Sequence, residues 1–328
     1  MVLSASRVKM TTRAITSMKR QSEIRKYKSP RGIVGALNAG IGAALYQGDC
    51  FELLGNLPDA SVDLIVTSPP YCIGMEYEKA TTVEDFLAAH RRILPEVIRV
   101  TKPGGSICWQ VGYHISKQAA YPLDYAIFSI LESEKSVVLR NRIIWSFAHG
   151  LHSSARFSGR HETLLWFTKG SDYFFDLDAV RVPQKYPGKR HYKGPAKGQF
   201  SGNPLGKNPG DVWDIPNVKG NHVEKVGHPC QFPVALVQRL IRALCPTNGV
   251  LLDPYMGSGS AGVAAFAEKR RFVGIELERK YFELASKRLK AMAKGQAEFR
   301  PIERPIFEPD PHSEVATIPP HFLRFAAE

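Results

Sequence analysis

Apolar and polar positions along the chain switch repeatedly between strand-like and helix-like spacing. Val62–Thr67 (VDLIVT) is an apolar run of buried-strand length, stopped by Ser68-Pro69-Pro70. Ahead of it, Ala44–Gln47 predicts a short strand that ends at Gly48-Asp49. After it, Thr82 and Asp85 form a capping-box pattern, and Phe86, Ile93, Val97 and Val100 recur on one helical face. Pro103-Gly104-Gly105 is expected to end that helix and turn the chain into a strand over Ser106–Val111. Arg142–Phe147 and Thr163–Thr168 predict two more strands, and Val250–Leu252 and Phe272–Ile275 two short apolar ones. Helices are expected over Pro233–Leu244, Ser260–Lys269 and Arg279–Lys294. Strand–helix alternation of this kind predicts an α/β fold with a doubly wound, mostly parallel sheet.

Two stretches fall outside the alternation. Residues 181–225 carry glycine and proline throughout, with Lys185, Lys189, Arg190, Lys193 and Lys197 interleaved among Tyr186, Tyr192 and Phe200. A loop that long in a compact domain is a functional surface or a mobile one, and basic residues mixed with aromatics suit nucleic acid. Residues 1–31 hold nine Lys and Arg against the single acid Glu23, with no apolar period. The chain therefore divides into a flexible basic tail (1–43), a first half of the fold (44–180), an insertion (181–225), a second half (226–295) and a C-terminal tail (296–328).

Composition narrows the classes. The 328 residues are 44% hydrophobic and 23% charged, as in a globular protein, and 44 Lys plus Arg against 31 Asp plus Glu give a net charge of +13. That balance favours a polyanionic partner, nucleic acid before a membrane surface. The five cysteines are dispersed, with no C-x-x-C pair, so neither a disulfide framework nor a zinc site is expected, and a reducing, cytoplasmic setting is. No apolar run reaches the ~18 residues of a membrane helix. The nearest, Ile33–Leu45, is broken by Gly35, Gly40 and Gly42, and it leads into a strand pattern rather than a cleavage site.

Two loops carry candidate chemistry. Asp253-Pro254-Tyr255-Met256-Gly257-Ser258-Gly259-Ser260 follows a strand and opens a helix, with glycines that permit a tight turn and close approach of a ligand. Glu276, seventeen residues past Gly259, ends the next strand, where an acid can accept from two ribose hydroxyls. Gly257–Gly262 also fits G-x-G-x-x-G, so a dinucleotide enzyme and a plain structural turn remain open on this loop alone. Thr67-Ser68-Pro69-Pro70-Tyr71 is the more specific signal. It ends a buried strand, where open α/β sheets place ligands. Its prolines remove two N–H donors, leaving the Pro69 carbonyl and the Ser68 oxygens free to accept.

Together these loops resemble the DNA amino-methyltransferases, which methylate exocyclic amines with S-adenosylmethionine. Ser68–Tyr71 is similar to that family's catalytic S/N/D-P-P-Y/F/W motif, and Asp253–Ser260 to its cofactor loop D-P-F-x-G-S-G, with Tyr255 in place of phenylalanine. Gly274-Ile275-Glu276 resembles the acid strand, Gly48-Asp49 the acid that contacts the cofactor's adenine, and Lys102–Gly105 the turn before the fifth strand. His228-Pro229-Cys230-Gln231-Phe232-Pro233 resembles the H-P-x-Q-K-P segment beside the cofactor, although Phe232 replaces its lysine. The likeness spans roughly residues 44–290. Its motif order, catalytic loop first, resembles the permuted β group, in which a target-recognition region lies between the loops, where residues 181–225 lie here.

The resemblance implies a Rossmann-like methyltransferase fold with S-adenosylmethionine as cofactor and no metal. It implies Ser68, Pro69, Pro70 and Tyr71 as catalytic residues. Asp49, Asp253, Tyr255, Gly257, Ser258, Gly259, Glu276 and His228 would bind the cofactor, and Lys185, Lys189, Arg190, Lys193 and Lys197 the DNA. An exocyclic amine is a poor nucleophile because its lone pair is delocalised into the ring. Acceptors at Ser68 and Pro69 would hold its two hydrogens and aim the lone pair, by positioning rather than by a covalent intermediate. The base must leave the duplex, and Tyr71 would stack on it. Ser68, where adenine enzymes mostly carry Asp or Asn, favours cytosine N4, with adenine N6 the alternative. A non-catalytic DNA-binding protein stays open on charge alone. Double-stranded DNA is the expected partner; a cognate restriction endonuclease and a homodimer are compatible additions. Cys230 and His161-Glu162 are expected to be decoys for thiolate and zinc chemistry. Arg140, Arg142, Arg156 and Arg160 are expected to serve DNA phosphates or the fold.

Overall fold

The computed structural model describes residues 22–71, 82–116, 119–150, 152–306, 308, 310, 312–313 and 316–317. In chain order the first half runs β1 (Ile24–Tyr27), α1 (Pro30–Ala39), β2 (Ala43–Gln47), α2 (Cys50–Asn56), β3 (Val62–Thr67), α3 (Val83–Val100) and β4 (Thr101–Val111). Next come β5 (Tyr113–Ser116), β6 (Ala119–Pro122), α4 (Leu123–Leu131), β7 (Val137–Ser146) and β8 (His161–Lys169). The second half follows with β9 (Val212–Asp214), α5 (Val234–Leu244), β10 (Val250–Asp253), α6 (Ser260–Ala267), β11 (Arg271–Glu276) and α7 (Arg279–Ala293).

One sheet has the order β1-β2-β11-β10-β3-β4-β8-β7-β9. Neighbours from β1 to β4 are all parallel, β4–β8 and β8–β7 are antiparallel, and β9 joins β7 in parallel. Strand alternation sends side chains to two cores. Ala44, Tyr46, Ile65, Trp109, Leu252 and Ile275 face α1–α4, while Ala43, Leu45, Leu64, Cys108, Leu251 and Phe272 face α5–α7. The doubly wound, mostly parallel sheet expected from the sequence is the one observed, and it gathers the C-terminal ends of β2, β11, β10 and β3 side by side.

The structure differs from the sequence reading at four places. The fold begins well before residue 44. β1 pairs with β2 from Ile24↔Ala43 to Tyr27↔Tyr46, and α1 buries Ile33 and Ala36. Two charges in a four-residue strand and two glycines in a ten-residue helix hide both elements, yet an edge strand tolerates charge, and Pro30 at the helix start with left-handed Gly40 at its end supplies the stops. Pro103-Gly104-Gly105 does not end a helix. α3 stops at Val100, and four residues, Lys102–Gly105, bulge within β4 opposite Asp63 alone, because Thr101 pairs with Val62 and Ser106 with Leu64. Lys102 Nζ grips both Asp63 oxygens at 2.8 Å across that bulge. The insertion is also shorter than 181–225: β9 joins the sheet edge, and Trp213, Ile215 and Val218 are buried, the first two in the core that α5 covers. Finally, the segment after α7 packs back, with Phe299 and Ile302 on the second core and Arg242 paired to Glu303. Among the described residues no helix is long and apolar enough to cross a membrane.

Deleting residues 1–31 therefore removes an edge strand and the start of α1. The expected result is a loss of on the order of 2–3 kcal/mol, from the partly buried Ile24 and Tyr27 and the uncovered β2 edge. A thermal melt reads it; an unchanged Tm would show that β1 contributes nothing.

Candidate active site

The two candidate loops lie at the ends of neighbouring strands. β10 pairs with β3 through Leu251↔Leu64 and Leu252↔Ile65, so Asp253 and Thr67 emerge together. Thr67 Oγ1 donates to Asp253 Oδ1 at 2.6 Å, and the Tyr255 amide donates to the same oxygen at 3.1 Å. Asp253 Oδ2 is buried without a hydrogen-bond partner, and burial pushes the carboxyl up to about 7. Asp253 thus locks the two loops to each other.

That cavity has a volume of about 850 Å³, room for more than one small-molecule moiety. One end is walled by Phe51, Pro254, Tyr255, Ile275 and Leu277, with the Asp49 and Glu276 side chains and the Gly257-Ser258 backbone. Asp49 caps α2, accepting from the Phe51 amide at 2.7 Å. Glu276 accepts from the Gly257 amide and the Glu278 amide, both at 2.8 Å, and burial raises its pKa. A carboxylate with two oxygens keeps acceptor capacity beyond these two bonds. Apolar walls with two acceptor acids fit an adenosine, whose ribose hydroxyls and ring amine are donors. His228 packs its ring on Tyr281 with centroids 4.4 Å apart, and burial lowers its pKa to about 4, leaving a neutral imidazole.

The two loop glycines do different things. Gly257 (φ +49°) lines the cavity, and a Cβ there would stand 3.0 Å from the His228 ring. Gly259 (φ +77°) caps α6, and its Cβ would strike Leu289 at 2.9 Å and Ala285 at 3.0 Å. A side chain at Gly259 would therefore meet α7, whatever ligand the loop holds.

The other end of the cavity holds Ser68, Pro69, Pro70 and Tyr71, with Gln110, Trp145, Phe147, Glu162, Lys219 and Cys230. Ser68 Oγ and the Tyr71 hydroxyl are 3.2 Å apart. Gln110 Nε2 donates to the Tyr71 oxygen at 2.7 Å, and Tyr71 donates to Glu162 Oε2 at 3.5 Å. Neither the Ser68 nor the Pro69 carbonyl accepts a bond from a described residue. Thr67, Gln110 and Glu162 were missed as site residues. They lie 186, 39 and 91 positions from the groups they bond, and only strand register brings them there.

Lys185, Lys189, Arg190, Lys193 and Lys197 are exposed and none lines the cavity. Arg190 is stacked 4.0 Å over Phe200 and donates to the Gly198 carbonyl at 2.6 Å. Arg156 does line the cavity, in the loop between β7 and β8, next to the fully exposed Phe157. Arg140 and Arg142 serve the fold: Arg140 bonds Thr168 at 2.9 Å, and Arg142 bonds Asp124 at 2.6 Å.

A mostly parallel sheet thus carries, at neighbouring strand ends, one cavity lined by acids, glycines and a proline-stiffened loop. The chain belongs to the N6/N4 DNA methylase family, whose model matches residues 62–287, and it is a DNA methyltransferase. It is 46% identical over 242 residues to the type II methyltransferase M.BglII of Bacillus subtilis, covering 74% of this chain and 67% of that protein. It is 30% identical over 259 residues to the DNA adenine methyltransferase YhdJ of Escherichia coli K12, covering 77% and 85%. The fold is similar to that of the cytosine-N4-specific PvuII DNA methyltransferase, with TM-score 0.61 at 19% identity over 79% of this chain and 94% of that one. It is also similar to a proposed DNA modification methylase from Thermus thermophilus complexed with S-adenosyl-L-methionine, with TM-score 0.55 at 27% identity over 76% and 96%.

Proposed function

We propose that the protein transfers the methyl group of S-adenosylmethionine to the exocyclic N4 of a cytosine flipped out of double-stranded DNA. The observation that carries this reading is the buried Thr67–Asp253 hydrogen bond, which holds an acceptor loop and a cofactor loop on one cavity. When bound, the cofactor supplies an electrophilic sulfonium methyl. Asp49, Tyr255, Glu276, His228 and the Gly257-Ser258 backbone hold it, while Asp253 and Gly259 shape the loop. Ser68 Oγ and the Pro69 carbonyl accept the two amine hydrogens and aim the lone pair, Pro70 stiffens the turn, and Tyr71 flanks the base.

Base choice rests on Ser68. Its hydroxyl is shorter than an Asp or Asn side chain and suits the smaller ring. The similarity to an adenine enzyme, YhdJ, favours N6 of adenine as the second reading. Mass spectrometry of nucleosides from DNA methylated in vitro tests the choice. N4-methylcytosine is expected; N6-methyladenine alone would overturn the base and leave the methyltransferase standing. The type II relatives support a restriction-modification setting, with a cognate endonuclease as functional partner.

For DNA, the exposed Lys185, Lys189, Arg190, Lys193 and Lys197 would meet phosphates beyond the cavity, and Arg156 at its rim. Reversing the charge of Lys189, Arg190 and Lys193 should weaken DNA binding and flatten its salt dependence, since about one counterion is released per phosphate contact. Cofactor affinity should be unchanged. An intact salt slope would show that these residues make no phosphate contact.

A further inference from the structure

Glu162 has no role in the chemistry above, yet it lies in the wall beside the acceptor loop. It sits near the start of β8, next to β4, and its side chain crosses to Gln110 and Tyr71. Both bonds end on Oε2. Among the described residues Oε1 accepts no hydrogen bond, and Glu162 forms no ion pair. Glu162 is one of the residues that line the cavity.

We propose that Glu162 reads the ring nitrogen beside the target amine, donating a carboxyl hydrogen from Oε1 to N3 of the flipped cytosine; this rests on the cytosine reading above. Burial pushes the Glu162 carboxyl up to about 7, so the neutral form persists near neutral pH. A neutral carboxyl has one O–H to place, and no described protein group accepts it. Ser68 and Pro69 offer acceptors to the amine, and Glu162, joined to Ser68 through Tyr71, offers a donor next to them. That order complements the N4 hydrogens and N3 lone pair of cytosine. Thymine presents the opposite pattern, O4 accepting and N3–H donating, and is rejected at every position. A hydrogen bond to N3 also draws density from the ring, so it does not speed the amine's attack. Its effect belongs in base binding and choice.

Among the described residues, four elements bring groups toward Glu162. Tyr71 from the β3 loop stays protonated, its pKa held well above the usual range by burial, and Gln110 from β4 is neutral. Among the described residues, Lys219, ahead of α5, is a cation whose charge reaches it. His161, preceding it on β8, turns to the Tyr113 hydroxyl at 3.2 Å. Cys230 faces Tyr71.

The test compares the wild-type protein, Glu162→Gln and Glu162→Ala on duplexes carrying cytosine or 3-deazacytosine at the target. The deaza base replaces N3 by C–H. The wild type is expected to show a KM ~10-fold or more higher on the analogue, the worth of one hydrogen bond in a dry site. Glu162→Ala should treat the two duplexes alike, and Glu162→Gln, which keeps an N–H donor of the same shape, should keep the preference. The wild-type KM on cytosine should rise as pH passes about 7 and the donor ionises, and the Gln variant should lose that rise. Undiminished preference for cytosine in Glu162→Ala would overturn the proposal. A product of N6-methyladenine on the unmodified duplex would instead overturn the reading beneath it, and the two failures are told apart by the nucleoside recovered.

Discussion

Replacing Ser68 by alanine is expected to lower turnover by ~10²-fold or more while leaving affinity for S-adenosylmethionine as it was. The reason is geometric. The Tyr71 oxygen already takes a hydrogen from Gln110 at 2.7 Å, and its own hydrogen can go to Glu162. The Ser68 hydrogen is then drawn to Tyr71, 3.2 Å away, which leaves the Ser68 lone pairs turned outward as acceptors. Alanine removes an acceptor whose bond strengthens as the amine nitrogen becomes positive during attack, so the loss falls on kcat. Tyr71→Phe keeps the ring and loses the hydroxyl, so it should lower turnover in the same sense by a smaller factor. Single-turnover methylation with saturating cofactor separates chemistry from release. A Ser68→Ala protein with unchanged single-turnover rate would remove Ser68 from the chemistry.

The second large effect lies at the other end of the cavity. Glu276→Ala should weaken S-adenosylmethionine binding by ~10²-fold or more, because charge-assisted bonds are each worth roughly 1.5–3 kcal/mol. Two kinds of contact go at once. The ribose hydroxyls lose their acceptor, and the Gly257 and Glu278 amides lose the carboxylate that fixes them at 2.8 Å. Glu276→Gln should retain part of the affinity, since one acceptor oxygen survives. Calorimetry reads both. Equal affinity in all three proteins would mean that the acid end of the cavity does not hold the cofactor.

Much of this site was legible in the sequence because strand ends write their chemistry locally. Ser68-Pro69-Pro70-Tyr71 and Gly257-Ser258 are each a few adjacent residues after an apolar run, and their motif order placed them on one sheet. What was not legible depends on register between distant strands. Glu162 stood out in the sequence only as part of a zinc decoy, and the pairing of β8 with β4 is what sets it against Gln110 and Tyr71. The bolt between the loops, Thr67 to Asp253, likewise depends on the pairing of β3 with β10. Gly259 obeys the cofactor-loop pattern for a reason the pattern does not state, the nearness of Ala285 and Leu289 on a helix further along the chain. β1 and α1 were hidden for a different reason. Their local composition is poor in strand and helix formers, and packing against β2 outweighs it.

Whether the two loops act as one site on an exocyclic amine is tested most directly with S-adenosylmethionine labelled in its methyl group. The protein is incubated with this cofactor and unmethylated DNA, and the DNA is then digested to nucleosides. Label is expected in N4-methylcytosine for the wild type, with its near disappearance in Ser68→Ala. Label in 5-methylcytosine, or equal label in both proteins, would contradict a two-loop site for the amine.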